Sequence, residues 1–157
     1  METRRPSLAE VVVPGLLAGV LFSVAAALFG RRDSGSAVAA LNAPGHVIWG
    51  ESALDERRFS YRHTLPGVVI NLGAGLFWAA VMLTLFRGST HRGLRGALLA
   101  GTSASLLAWI IDYHVLPRRL SPGIQERVSG GSLLAIHGLF GLGLAMGARL
   151  VGPPNRR

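Results

Sequence analysis

The strongest constraint on this chain is the length of its uncharged stretches. Four of them contain no charged residue: Val11–Gly30, Thr64–Phe86, Gly96–Ile111 and Val128–Ala148. A helix rises about 1.5 Å per residue and the hydrocarbon core of a bilayer is about 30 Å thick, so roughly 20 apolar residues cross it. Because lipid cannot bond the backbone amides, each crossing segment must satisfy its own, as a helix does. The sequence therefore predicts an all-α fold, an antiparallel bundle of four transmembrane helices.

The 157 residues have room for one integral membrane domain and for no separate soluble domain. The predicted helices cover about residues 9–30, 64–86, 94–116 and 129–150. The longest connection, residues 31–62, is more than a linker, because Pro44-Gly45 would stop a short helix and Trp49 prefers the level of the headgroups. We expect an interfacial or re-entrant segment within it.

All 16 basic residues are arginines, and they lie in short clusters beside the uncharged stretches. Nucleic-acid binding would need a continuous basic face, so the net charge of +8 is better explained by arginines at helix ends. Both termini and the turn at residues 87–95 fall on one side, where the arginines are crowded into short segments. The positive-inside rule then predicts that both termini lie in the cytoplasm.

Small residues recur four positions apart in three of the predicted helices. Such spacing lines a helix face with groups that let another backbone come close. The pairs are Gly15 with Gly19, Gly101 with Ser105, and Gly143 with Gly147. These faces offer more packing surface than four short helices need among themselves. Besides the lipid bilayer, we therefore expect other membrane protein subunits or a homo-oligomer as partners.

Polar side chains collect on the side of the long connection. Asp112 lies about one turn inside the end of the third helix, at a depth where a carboxylate is costly and normally has a partner. Counted along the helices, Asn71 and His137 lie deep enough to approach it. The other polar candidates on this side are His46, His63 and His114.

Two interpretations of these residues remain open. In the first, His46, His63, His114 and His137 hold a metal ion or haem, and Asp112 is a further ligand or, like Asn71, accepts a hydrogen bond from one. A related version of it is a cluster that responds to protons. In the second, each histidine is a polar residue near a helix end, bonded to a carbonyl or a neighbour, and no cofactor is bound. The chain has no cysteine, which excludes disulfides, thiolate nucleophiles and iron–sulfur ligation.

Residues 65–148 resemble the YagU-like family of small bacterial inner-membrane proteins. The resemblance lies in His63-Thr64-Leu65-Pro66-Gly67, Leu94-Arg95-Gly96-Ala97-Leu98-Leu99-Ala100-Gly101, the spacing Pro117, Pro122, Glu126, and Leu133, His137, Phe140-Gly141-Leu142. It implies four helices and a loosely defined role linked to acid tolerance, without a reaction or an agreed site. His137 is the one polar position that the resemblance carries over. The block Asp112-Tyr113-His114 departs from the family pattern.

No motif in the chain specifies a reaction. The sequence therefore favours a non-enzymatic membrane protein, either an accessory or structural subunit of a larger membrane complex or a protein of envelope homeostasis. One alternative is a metal- or haem-binding module that uses the histidines, with a redox role. A further alternative is a small transporter or a proton path through Asp112.

Overall fold

The computed structural model describes residues 6–152, which form helices and connections without a strand. The α-helices are α1 (Leu8–Ser34), α2 (Ala37–Asn42), α3 (His46–Trp49), α4 (Glu51–Asp55), α5 (Thr64–Leu85), α6 (Arg87–Thr90), α7 (Gly93–Ile110) and α8 (Gly130–Val151). A π-helical turn, Ile111–Val115, continues α7.

Four of these segments have the length and composition of membrane spans. They are α1, α5, α7 with its π turn, and α8, and they contain 22 to 27 residues each. Their outward faces carry large apolar side chains, for example Val24 at 51% exposure and Phe77 at 60%. Lipid tails are the solvent that suits such surfaces. The prediction of an all-α bundle of four transmembrane helices is confirmed, and the chain is a multi-pass integral membrane protein.

The ends of the first and last spans are fixed by local hydrogen bonds. Ser7 and Glu10 form a capping box, in which the Ser7 N–H donates to Glu10 Oε2 at 2.7 Å and the Glu10 N–H donates to Ser7 Oγ at 3.3 Å. At the other end of α1, Gly35 takes φ 75°, a left-handed conformation that stops the helix. Asp33 Oδ2 there accepts a hydrogen bond from the Ser129 N–H at 2.8 Å, which ties α1 to the start of α8.

The four spans close into a ring. α1 lies between α5 and α8, and α7 packs along α8, while the seam between α5 and α7 is looser. The core is made largely of alanine, glycine and a few larger apolar side chains such as Met82, Ile136 and Leu144. Small side chains let the helix axes approach, which is how helices gain van der Waals contact in lipid.

The predicted pairs of small residues lie at these contacts. Gly15 and Gly19 face Leu76 and Leu72 of α5, Gly101 faces the Gly141 carbonyl of α8, and Gly143 and Gly147 face Ala18 and Pro14 of α1. Ser105 Oγ donates a hydrogen bond of 2.6 Å to the His137 carbonyl. Because these residues all contact helices of their own chain, their spacing no longer argues for a second polypeptide. A partner subunit or a homo-oligomer stays a prediction.

The long connection is a helical cap on the end of the bundle, formed by α2, α3 and α4. Asn42 is completely buried and holds the cap in place: its Nδ2 donates to the carbonyls of Glu56 at 2.9 Å and Arg58 at 3.1 Å. The Thr64 hydroxyl donates to Asn42 Oδ1 at 2.6 Å. The cap is therefore anchored directly on the first residue of α5.

Candidate ligand-binding pocket

The π turn at the end of α7 carries the most unusual polar residue of the bundle. In this turn the Leu116 N–H donates to the Ile111 carbonyl at 2.9 Å, five residues back, and Pro117 prevents the helix from continuing. π turns are rare and occur often at functional sites. Asp112 lies in the turn, and it has no hydrogen bond and no ion pair with any residue from 6 to 152.

Asp112 is half-buried and lines a partly open cavity of about 40 Å³ between the spans. All four spans contribute to its wall, and so does the connection between α7 and α8. The lining residues are Phe22 from α1, Ile70, Asn71, Ala74 and Trp78 from α5, Ala108 and Asp112 from the third span, His137 and Phe140 from α8, and Pro122 from the connection. Three polar residues that are far apart in sequence, Asp112, Asn71 and His137, thus face one space.

Asn71 is held by the opposite helix. It is 4% exposed, and its Nδ2 donates a hydrogen bond of 3.2 Å to Ser23 Oγ on α1. This bond fixes the amide across the contact between α1 and α5. The amide oxygen of Asn71 has no partner among residues 6–152 and can accept a hydrogen bond.

His137 is oriented by its own helix and by aromatic neighbours. It is 5% exposed, and its Nδ1 lies 3.1 Å from the Leu133 carbonyl. A carbonyl only accepts, so Nδ1 carries the hydrogen and the neutral ring keeps Nε2 as an acceptor. Phe22 and Tyr113 both meet the imidazole edge to face at 5.4 Å. The Tyr113 hydroxyl beside it is buried without a hydrogen-bond partner in the described chain.

Taken together, the polar groups of this pocket offer three acceptors, beside the second N–H of the Asn71 amide. The carboxylate of Asp112, the amide oxygen of Asn71 and Nε2 of His137 have lone pairs to offer. The rings of Phe22, Trp78 and Phe140 form the apolar part of the wall. Acceptors and aromatic faces both attract cations and N–H donors.

The other three candidate histidines each have a local environment of their own. His46 is 2% exposed, with Nδ1 at 2.9 Å from the Ala43 carbonyl and Nε2 at 3.0 Å from the Arg118 carbonyl. His63 Nδ1 lies 3.0 Å from Ser60 Oγ, and His114 packs edge to face on Trp109 at 4.6 Å.

These positions bear on the metal and haem interpretation. Residues 6–152 contain no group of three or more His, Cys, Asp or Glu side chains that could hold a metal ion. The structure does not bring His46, His63, His114 and His137 together as such a group. Haem binding through these histidines stays a prediction.

No family model matches this chain, and neither a curated protein nor a solved structure is significantly similar to it. The resemblance to the YagU-like family therefore stays a prediction.

Proposed function

We propose that this protein is a non-enzymatic membrane protein that binds a small cationic group in the pocket of Asp112, Asn71 and His137. The observation that carries the proposal is the carboxylate of Asp112, which lines the cavity and has no partner among the described residues. An acidic side chain in a membrane span is costly and normally pairs with a counter-charge or faces water. A bound cation supplies the missing partner.

The size and walls of the cavity support a compact cation. A water molecule needs roughly 10–15 Å³ of free cavity volume, so a cavity of about 40 Å³ holds two or three waters or one ammonium-sized group. Asp112 would neutralise the charge, while Asn71 and His137 would accept its N–H hydrogens. The aromatic rings beside them add cation–π attraction, as in sites that recognise ammonium groups.

The cellular setting is part of the proposal. The crowding of arginines near the termini and in the turn at residues 87–95 supports cytoplasmic termini. The bacterial inner membrane is proposed on the resemblance to the YagU-like family alone. Under that orientation the pocket lies near the outer face. An accessory role in a larger membrane complex stays a prediction, and a ligand-binding subunit without its own reaction is compatible with it.

A binding experiment with methylammonium tests the proposal. In phosphatidylcholine nanodiscs, calorimetric titration of the wild type should give saturable binding with one site per chain. Asp112→Asn should weaken it at least about tenfold, because a charge-assisted hydrogen bond contributes roughly 1.5–3 kcal/mol and about 1.4 kcal/mol is a factor of ten.

Asp55→Asn is the matched control. It removes the same charge from an exposed residue of the cap and should leave binding unchanged. Absence of binding to the wild type, or equal weakening by both substitutions, would contradict the proposed function.

A further inference from the structure

Resting on the proposed function, we infer that the ligand is a lipophilic amine, with its ammonium head at Asp112 and its hydrocarbon chain in a groove between α7 and α8. The groove lies on the outer face of this helix pair and has a volume of about 260 Å³. It is lined by Leu106, Trp109, Leu134, Gly138 and other residues of the two helices.

One side chain is common to the groove and the cavity. His137 lines both, so a single imidazole forms part of the wall of each. This imidazole separates the two spaces, and the inferred ligand, with a charged head and an unbranched chain, would pass it to occupy both.

The chemistry of the two spaces is complementary to an amphiphile. The groove exposes almost only apolar surface, and Gly138 leaves open space where a side chain would otherwise stand. The cavity beyond His137 carries the carboxylate. A fatty acid would place two negative charges together, and an alcohol would leave Asp112 without a counter-charge. Charge complementarity thus favours an amine over both.

Access from the bilayer distinguishes this ligand from a water-soluble cation. A hydrocarbon chain concentrates its carrier in the membrane, by about 0.8 kcal/mol per methylene. The groove opens on the surface that faces lipid, as shown by Leu106 at 54% and Leu134 at 68% exposure. The ligand would therefore enter sideways, from the acyl-chain region.

Fluorescence quenching provides the test, because Trp109 lines the groove. Dodecylamine with bromine at the chain end should quench the wild type in phosphatidylcholine nanodiscs with a saturable component. Half-saturation should come at a total concentration at least tenfold below that of methylammonium binding. Asp112→Asn should remove the saturable component, and bromine-labelled dodecanol should not produce it.

A pair of glycine substitutions separates the groove from the cavity. Gly138→Leu should abolish saturable quenching while methylammonium still binds. Gly73→Leu, on α5, also adds a side chain where no atom lies within 4 Å, and it should have no effect.

The outcomes distinguish this inference from the proposed function. It is overturned if the alcohol quenches like the amine, or if Gly138→Leu changes nothing. If methylammonium still binds in those cases, the proposed function stands. If Asp112→Asn changes the binding of neither ligand, both the further inference and the proposed function are contradicted.

Discussion

Asn42 shows how much one buried amide contributes to the arrangement of this chain. It donates to two backbone carbonyls of the cap and accepts from the hydroxyl of Thr64, so its donors and its acceptor are all used. An aspartate lacks the donors, and an apolar residue leaves the buried Thr64 hydroxyl and the two part-buried carbonyls without this partner. The amide is therefore the one side chain of this size that satisfies the site.

Replacing Asn42 with alanine should lower the free energy of unfolding by about 1–3 kcal/mol, because the buried Thr64 hydroxyl is left unsatisfied and such a loss costs roughly that much. The carbonyls of Glu56 and Arg58 are only partly buried and can bond to water instead. The shift can be measured from the unfolding midpoint in dodecyl sulfate. Ser52→Ala serves as the control: Ser52 is exposed and makes one bond to the Trp49 carbonyl, so we expect a change within about 0.5 kcal/mol. Similar losses from both substitutions would argue against the anchoring role of Asn42.

The candidate site could be predicted in part from single residues. The depths of Asp112, Asn71 and His137 follow from counting along each helix, and this count indicated that they could approach one another. Which helix faces turn inward depends on packing between helices, so the aromatic wall of Phe22, Trp78 and Phe140 was not predicted. The π turn was also missed, although Pro117 marked the end of its helix.

At the level of helices, glycine decides how closely the spans approach. A Cβ on Gly143 would lie 2.6 Å from the Cα of Ala18, which is closer than real contacts allow. On the same helix, Gly138 has no atom within 4 Å of that position. Two glycines five residues apart on α8 thus differ in what they do: one makes a helix contact and the other leaves a gap facing lipid.

Gly143→Ala should therefore destabilise the bundle by about 1–3 kcal/mol, the usual range for overpacking, because α1 and α8 must move apart. Gly138→Ala should be neutral or stabilise by up to about 1 kcal/mol, since alanine is the better helix former. Unfolding midpoints of the two variants in the same detergent give the comparison. If both variants have the same unfolding midpoint, the close packing of α1 on α8 described here is contradicted.

The four spans could be predicted from sequence because an uncharged stretch of about 20 residues requires no tertiary information to be interpreted. The use of the small residues was harder to assign. Their spacing indicated close contacts, but only the structure shows that the contacts of Gly15, Gly101 and Gly143 are made within the chain. A sequence pattern describes a face, and it does not say which neighbour the face meets.

For the whole molecule, the arrangement of spans places the cap and the turn that contains α6 at opposite ends of the bundle. The cap follows α1 and precedes α5, while the turn follows α5 and precedes α7. Each span reverses the direction of the chain. The two connections therefore belong to different compartments in any antiparallel bundle that crosses the membrane.

Because the chain has no cysteine, single cysteines can report this topology without background. Ser52→Cys lies on the exposed cap and Gly88→Cys on the exposed turn. With intact cells, a membrane-impermeant maleimide should label Ser52→Cys and should label Gly88→Cys only after permeabilisation. Labelling of both cysteines from the same side would contradict the antiparallel bundle. If Gly88→Cys were labelled in intact cells and Ser52→Cys only after permeabilisation, the bundle would stand and only the cytoplasmic location of the termini would be contradicted.

The connection between α7 and α8 touches two parts of the protein at once. Its Arg118 carbonyl is bonded to His46 of the cap, and its Pro122 forms part of the cavity wall. Displacing the cap therefore pulls on the same short segment that shapes the cavity. A soluble protein that bound the cap would thus be able to change the shape of the cavity without itself entering the lipid.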